Sequence, residues 1–211
     1  MLKRIFLTGA VLLAATPAAA ADFAGPRAEA RFGWDRTTVE VEYDDGETVF
    51  EGKDHDDGLG VGAEFGYDFA VGGAVVGGYA GIDFANTKEC SEVFGNDEAC
   101  VKLGRNFTLG ARVGAAVTPS ALLYVKGGYS NGQTKVTYED FIDSDFNSTD
   151  KDNRDGFHFG VGAEMNVSET GYAKLELIRT NYNDYGYSDA FVDASTDSRR
   201  TQATLGFGVR F

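Results

Sequence analysis

Along this chain apolar residues fall on alternate positions again and again, and no other pattern limits its fold as sharply. Side chains on a β-strand alternate faces, so each such segment sorts into two rows. Residues 201–211 give one row of Thr201, Ala203, Leu205, Phe207, Val209 and Phe211, and another of Gln202, Thr204, Gly206, Gly208 and Arg210. Residues 59–69 set Leu59, Val61, Ala63, Phe65, Tyr67 and Phe69 against Gly60, Gly62, Glu64, Gly66 and Asp68. Comparable rows begin near Ala28, Val76, Leu103, Leu123, Phe157 and Ala173, which predicts eight strands. In every case one row is apolar and the other small or polar.

The connections decide what the apolar row faces. After the second, fourth and sixth strands they take three to five residues, with turn signals at Gly72-Gly73, Pro119-Ser120 and Ser168–Gly171. After the first, third, fifth and seventh they run from about fifteen to twenty-five residues and are acidic, summing to about −7, −3, −5 and −4. The segment 42–57 alone carries eight acidic residues against Lys53, with no apolar period, and reads as a solvated loop. Residues 38–41 and 135–138 could prolong the strands beside them. Long connections recurring at one end, short turns at the other, are the asymmetry of a membrane barrel. The expected fold is all-β: an eight-stranded antiparallel up-and-down transmembrane β-barrel with short periplasmic turns and long acidic extracellular loops. A soluble extracytoplasmic barrel is the alternative.

Export fits this reading. Lys3 and Arg4 precede an apolar core, Ile5 to Ala15, and small residues at 18–21, the pattern of a secretory signal peptide over 1–20 with the barrel domain over 21–211. No later apolar run is long enough for a spanning helix. A barrel is then the one way to satisfy the backbone in lipid. The net charge of −14 argues against nucleic acid as a partner. Cys90 and Cys100 suit an oxidising compartment and are expected to form a disulfide.

On these residues the chain resembles the small outer-membrane barrels of Gram-negative bacteria, the group of the OmpA transmembrane domain, OmpX and the opacity and Omp25-type surface antigens. The carrying features are the signal peptide, the eight alternating strands, the stretch 124–129 (Tyr-Val-Lys-Gly-Gly-Tyr) and the closing Leu-Gly-Phe-Gly-Val-Arg-Phe of 205–211. The resemblance implies location in the outer membrane, with outer-membrane lipid and lipopolysaccharide around the barrel. It makes Phe207, Val209 and Phe211 a signal read by the barrel-assembly machinery, and leaves the loops for surface partners. It implies a structural or surface-antigen role, with a narrow porin-like pore and a lipid A modifying enzyme as alternatives.

The inward rows carry Glu29, Arg31, Glu64, Asp68, Asp83, Arg112, Lys126, Glu164, Lys174, Glu176 and Arg210. Eight strands leave an interior that side chains can fill, and charges buried there need partners. A salt-bridge plug is expected in which Glu64, Glu164 and Glu176 meet Arg112, Lys126 and Lys174. The Gly-x-Gly runs at 58–62 and 156–162 have a period of two and no following helix, so they serve packing, not phosphate binding. His158 lies in the inward row and no Ser/His/acid set accompanies it, so no catalytic residue is assigned. Asp54, Asp56, Asp57 and Asp150, Asp152, Asp155 miss the register of an EF-hand loop, and neither metal nor cofactor is expected. Aromatics at strand ends (Trp34, Tyr67, Phe69, Phe84, Phe107, Tyr129, Phe157, Phe207, Phe211) suggest interfacial girdles.

Overall fold

The computed structural model describes residues 20, 22–44, 49–86, 88–92, 97–140, 148–189 and 192–211. The expected signal peptide, but for Ala20, lies outside them. The strands are β1 (Gly25–Asp44), β2 (Val49–Val71), β3 (Ala74–Ala85), β4 (Lys88–Glu92), β5 (Asp97–Thr118), β6 (Ala121–Asp140), β7 (Ser148–Asn166), β8 (Gly171–Asp189) and β9 (Val192–Arg210). Each strand but β4 pairs antiparallel with two neighbours in a ring, and β1 pairs with both β2 and β9 while β3 pairs with β5, so the sheet closes on itself. Eight strands form the wall. The ninth, β4, stands outside the ring and pairs only with the start of β5, where the Cys90–Cys100 disulfide joins directly opposed residues.

The alternation sets inside and outside. Leu59, Val61, Phe65, Tyr67 and Phe69 of β2 are exposed, while Glu64 and Asp68 between them are buried. All the aromatics named above as girdle residues are exposed, Phe157 to 68% and Phe211 to 77%. A soluble monomer rarely shows an apolar patch of more than a few hundred Å². Here apolar side chains circle the wall, as a lipid-facing surface requires. From Leu59 to Phe69 the chain climbs about 33 Å along the strand, or ~25 Å in height at a tilt of about 40°, the thickness of such a band. Arg36 and Asp57 mark its upper edge on the outer surface. They pair through two 2.7 Å hydrogen bonds, and the Arg36 guanidinium lies 5.0 Å from the Trp34 ring centre. No helix among the described residues is long and apolar enough to cross a membrane; the crossing is by strands.

The long connections differ from the solvated loops expected. The β1–β2 ladder continues through Arg36↔Asp57 and Glu40↔Lys53 as far as Asp44↔Val49. Likewise β6 and β7 pair up to Tyr138↔Ser148, and β8 and β9 up to Asp189↔Val192. Only residues 45–48, 141–147 and 190–191 lie between those strands. The apolar period ends where the membrane ends, because beyond it both faces of the hairpin meet water. Strand pairing does not end there, since it needs only backbone partners, and the barrel register supplies them.

Candidate functional site

Among the described residues, the lumen is where this fold gathers chemically active groups in number. Fourteen buried charged side chains occupy it among the described residues. Seven are cations (Arg27, Arg31, Arg112, Lys126, Lys174, Arg200 and Arg210) and seven are carboxylates (Glu29, Asp35, Glu64, Asp68, Asp83, Glu164 and Glu176). The formal charge of these fourteen groups is therefore zero.

Glycine placement explains how large side chains fit. Arg112 of β5 and Asp68 of β2 sit at one register with Gly77 of β3 between them, and the guanidinium spans that glycine to bind both carboxylate oxygens at 2.9 and 2.6 Å. The same unit recurs higher up. Arg31 of β1 reaches over Gly62 of β2 to Asp83 of β3, with two bonds of 2.7 Å. A Cβ on either glycine would collide with the carboxylate. Tyrosines use glycines in a related way. Tyr79, Tyr124 and Tyr172 each lie over the directly paired glycine of the next strand, Gly110, Gly162 and Gly208. Their hydroxyls reach His158, Glu176 (2.7 Å) and Glu29 (2.8 Å).

All six residues singled out for the interior network are buried and in ionic contact. Arg112 donates to Glu164 at 2.8 Å. Lys126 bridges Glu64 and Glu176 at 2.7 and 3.0 Å, and its ammonium sits 4.1 Å from the Tyr79 ring centre. Lys174 contacts Glu29 closely, Glu176 at 3.1 Å and Glu64 at 3.7 Å. The two halves are joined by Arg27, which binds Glu64 at 2.9 Å and Asp68 at 3.1 Å. Sequence reasoning missed Arg27, and also the buried Arg200–Asp35 pair. The signal was present: Arg27 continues the row of Glu29 and Arg31, Asp35 extends it upward, and Arg200 continues the row of Gln202 and Thr204.

The structure also sets Ser130 beside His158, its Oγ 2.8 Å from Nδ1, while Tyr79 takes Nε2. No carboxylate completes a relay among the described hydrogen bonds, and all three residues are buried in the lumen. Glu29, Glu64 and Glu176 come within 4.8 Å of one another, a spacing a cation could use, but the Lys174 ammonium contacts all three. On the rim, Asp54 and Asp56 share a face of β2 and Asp57 takes the other; Asp150 and Asp152 are divided from Asp155 in the same way. Neither acidic trio converges.

Outside the membrane band three carboxylates are shifted, and for Asp155 hydrogen bonds from Tyr129 and Asn131 lower the value. The Arg36 hydrogen bonds hold Asp57 below the ordinary carboxylate value, and a hydrogen bond from Lys53, with Arg199 nearby, does the same for Glu40.

A closed ring of eight strands, apolar outside and filled with paired charges, is the construction of a small outer-membrane barrel. The family comparison agrees: the profile described as "Outer membrane protein beta-barrel domain" matches residues 5–211. The chain belongs to that family, and its place is the outer membrane of a Gram-negative bacterium. Among solved structures it is similar to a major outer membrane protein from Thermus thermophilus, at 16% identity and a TM-score of 0.53, covering 84% of this chain and 99% of the other. It is similar to OprG from Pseudomonas aeruginosa at 14% identity and a TM-score of 0.51, covering 89% and 97%. Ail, the attachment invasion locus protein of Yersinia pestis, follows at 15% identity and a TM-score of 0.43, covering 89% and 99%. At these identities the likeness is one of fold. No curated protein matches the sequence.

Proposed function

We propose that this protein is a structural, surface-exposed component of the outer membrane whose lumen is closed to ions. The carrying observation is the charge lattice. Seven cations and seven carboxylates fill the interior with no net charge, and each makes at least one ion pair within 4 Å. A permeating ion would have to displace contacts that compensate the burial of those groups, and leaving a buried charge unpaired costs about 3–5 kcal/mol. The lipid-facing belt embeds the barrel in outer-membrane lipid and lipopolysaccharide. Phe207, Val209 and Phe211 form an outward apolar row at the turn end of β9, the edge offered to the barrel-assembly machinery. The acidic extracellular hairpins are the surface for partners outside the cell. Catalysis is no part of this reading: the histidine of the lumen is enclosed by Ser130 and Tyr79, away from lipid and solvent.

Planar-bilayer recording of the purified wild-type barrel tests the proposal. Silence at moderate voltage is expected; steady, well-resolved conductance would overturn it in favour of a narrow pore. Lipid A mass spectra unchanged by expression of the protein are expected as well, and a new acylation pattern would return the enzyme reading.

A further inference from the structure

We propose that the short segment preceding β1 is a built-in cork, which seals the periplasmic mouth of the lumen as a second barrier below the charge lattice. At the turn end three neighbouring inward rows become apolar. Val75 of β3 and Ala116 and Leu122 of β5 and β6 point inward there, and all three are buried. Phe23 inserts among them with no exposed surface, clustered with Val75, Ala116, Leu122 and Tyr124 of the barrel wall. Asp22, one residue earlier, is exposed, so the segment places a single aromatic ring in the mouth.

The wall is built to let the chain turn inward. Barrel closure reaches its last hydrogen bond where Phe211 N donates to Pro26 O at 2.9 Å. Directly before Pro26, Gly25 adopts a φ of 119°, and a Cβ there would lie 2.6 Å from the Phe211 carbonyl oxygen. Only glycine accepts that conformation without strain. The turned-in segment is then tied to the charges above it. Arg210 donates to the Phe23 carbonyl, while the same guanidinium holds Asp68 at 3.1 Å and Glu164 at 2.5 Å. An apolar constriction excludes hydrated ions because water itself is unstable there, a mode of closure unrelated to charge pairing. Passage would thus need two events, displacement of ion pairs and removal of the ring, and loosening the lattice alone would not open the lumen. The inference rests on the reading of a closed barrel.

Thiol labelling separates the two ideas. Cys90 and Cys100 are bridged, and the described chain has no free cysteine, so an introduced thiol reports alone. With a membrane-impermeant maleimide added from the turn side of full-length protein in vesicles, Asp22→Cys is expected to react readily. Phe23→Cys should react at least about tenfold more slowly, as protection by local closure requires. Adding Gly25→Val to Phe23→Cys should restore the rate seen at Asp22→Cys. Equal rates for Asp22→Cys and Phe23→Cys would overturn the cork. Val75→Cys reads the same layer with Phe23 intact: protected labelling supports the seal, and rapid labelling opposes it. In bilayers Arg112→Ala should stay silent and Arg112→Ala with Phe23→Ser should conduct; if Arg112→Ala alone conducts equally, Phe23 is no barrier. Wild-type conductance with Phe23→Cys still protected would sink the closed-lumen reading and leave the inserted segment standing.

Discussion

Arg112 and Asp68 belong to strands that do not touch, yet their side chains meet over Gly77 through hydrogen bonds of 2.9 and 2.6 Å. The glycine is the floor of the pair. Gly77→Ala is expected to push the Asp68 carboxylate away and cost about 3–5 kcal/mol, the range for breaking a buried pair. Its neighbour Gly78 faces outward, where a Cβ would meet only the Gly110 carbonyl oxygen at 3.8 Å, and Gly78→Ala should change stability by no more than about 1 kcal/mol. Urea unfolding in lipid vesicles compares them. Equal midpoints for the two variants would refute the role given to Gly77.

Lys174 stands among Glu29, Glu64 and Glu176, whose oxygens approach within 4.8 Å of one another. Lys174→Ala should destabilise the barrel by about 3–5 kcal/mol, because three carboxylates then share the remaining cations. Refolding in calcium should recover part of the loss in this variant and leave the wild type unmoved, since only the variant offers the carboxylates to a metal. A calcium effect of the same size in both proteins would place the ion elsewhere.

The exposed Arg36–Asp57 pair makes the β1–β2 extension sensitive to acid. Its hydrogen bonds lower the Asp57 pKa from an ordinary value of 3.8, so the folded ladder binds the proton less readily than the unfolded chain. The stabilisation is complete above that ordinary value and is lost as pH falls through the lower folded one. Hydrogen-exchange protection factors in this hairpin should hold from neutral pH down to about pH 5 and decline below about pH 4. Asp57→Asn should lower protection at neutral pH and flatten the pair's contribution to the decline, and salt should weaken the effect. Wild-type and variant profiles of one shape would contradict it.

The Cys90–Cys100 bridge joins β4 to β5 outside the closed ring. Closing so short a loop restrains the unfolded segment by about 2–3 kcal/mol in the chain-entropy picture. Cys90→Ser with Cys100→Ser should raise protease sensitivity near residues 88–102 and leave heat-modifiable migration of the barrel unchanged. Loss of that migration would mean the bridge supports the wall itself.

The sequence reveals the wall more readily than its contents. Within the membrane each outward position must be apolar, so Leu59 to Phe69 reads directly as a strand and its inward partners follow by parity. Above the membrane that constraint lapses, which is why residues 42–44 and 49–57 look like loop and yet form ladder. The inward charges are also legible by parity, Glu64, Lys126 and Glu176 among them. Their pairing is not, because Arg112 meets Asp68 across a third strand, and sequence distance carries no record of the register that sets them level. Arg27 and Arg200 were missed for a simpler cause: each lies one step past the end of a row defined by apolar neighbours alone. Phe23 has no periodicity to betray it, since it leaves the wall.

The β1–β2 ladder reaches Asp44↔Val49, so from Trp34 the strand rises a further ten residues, about 25 Å of height at the barrel's tilt. Anything approaching from outside therefore meets a palisade of fixed backbones. An antibody or phage tail that grips this rim would read side chains from neighbouring strands at set spacings, as between Arg199, Glu40 and Lys53. Linear peptides copied from any one hairpin would lack that arrangement, and immunity raised against the unfolded chain would address a different shape from the one the cell displays.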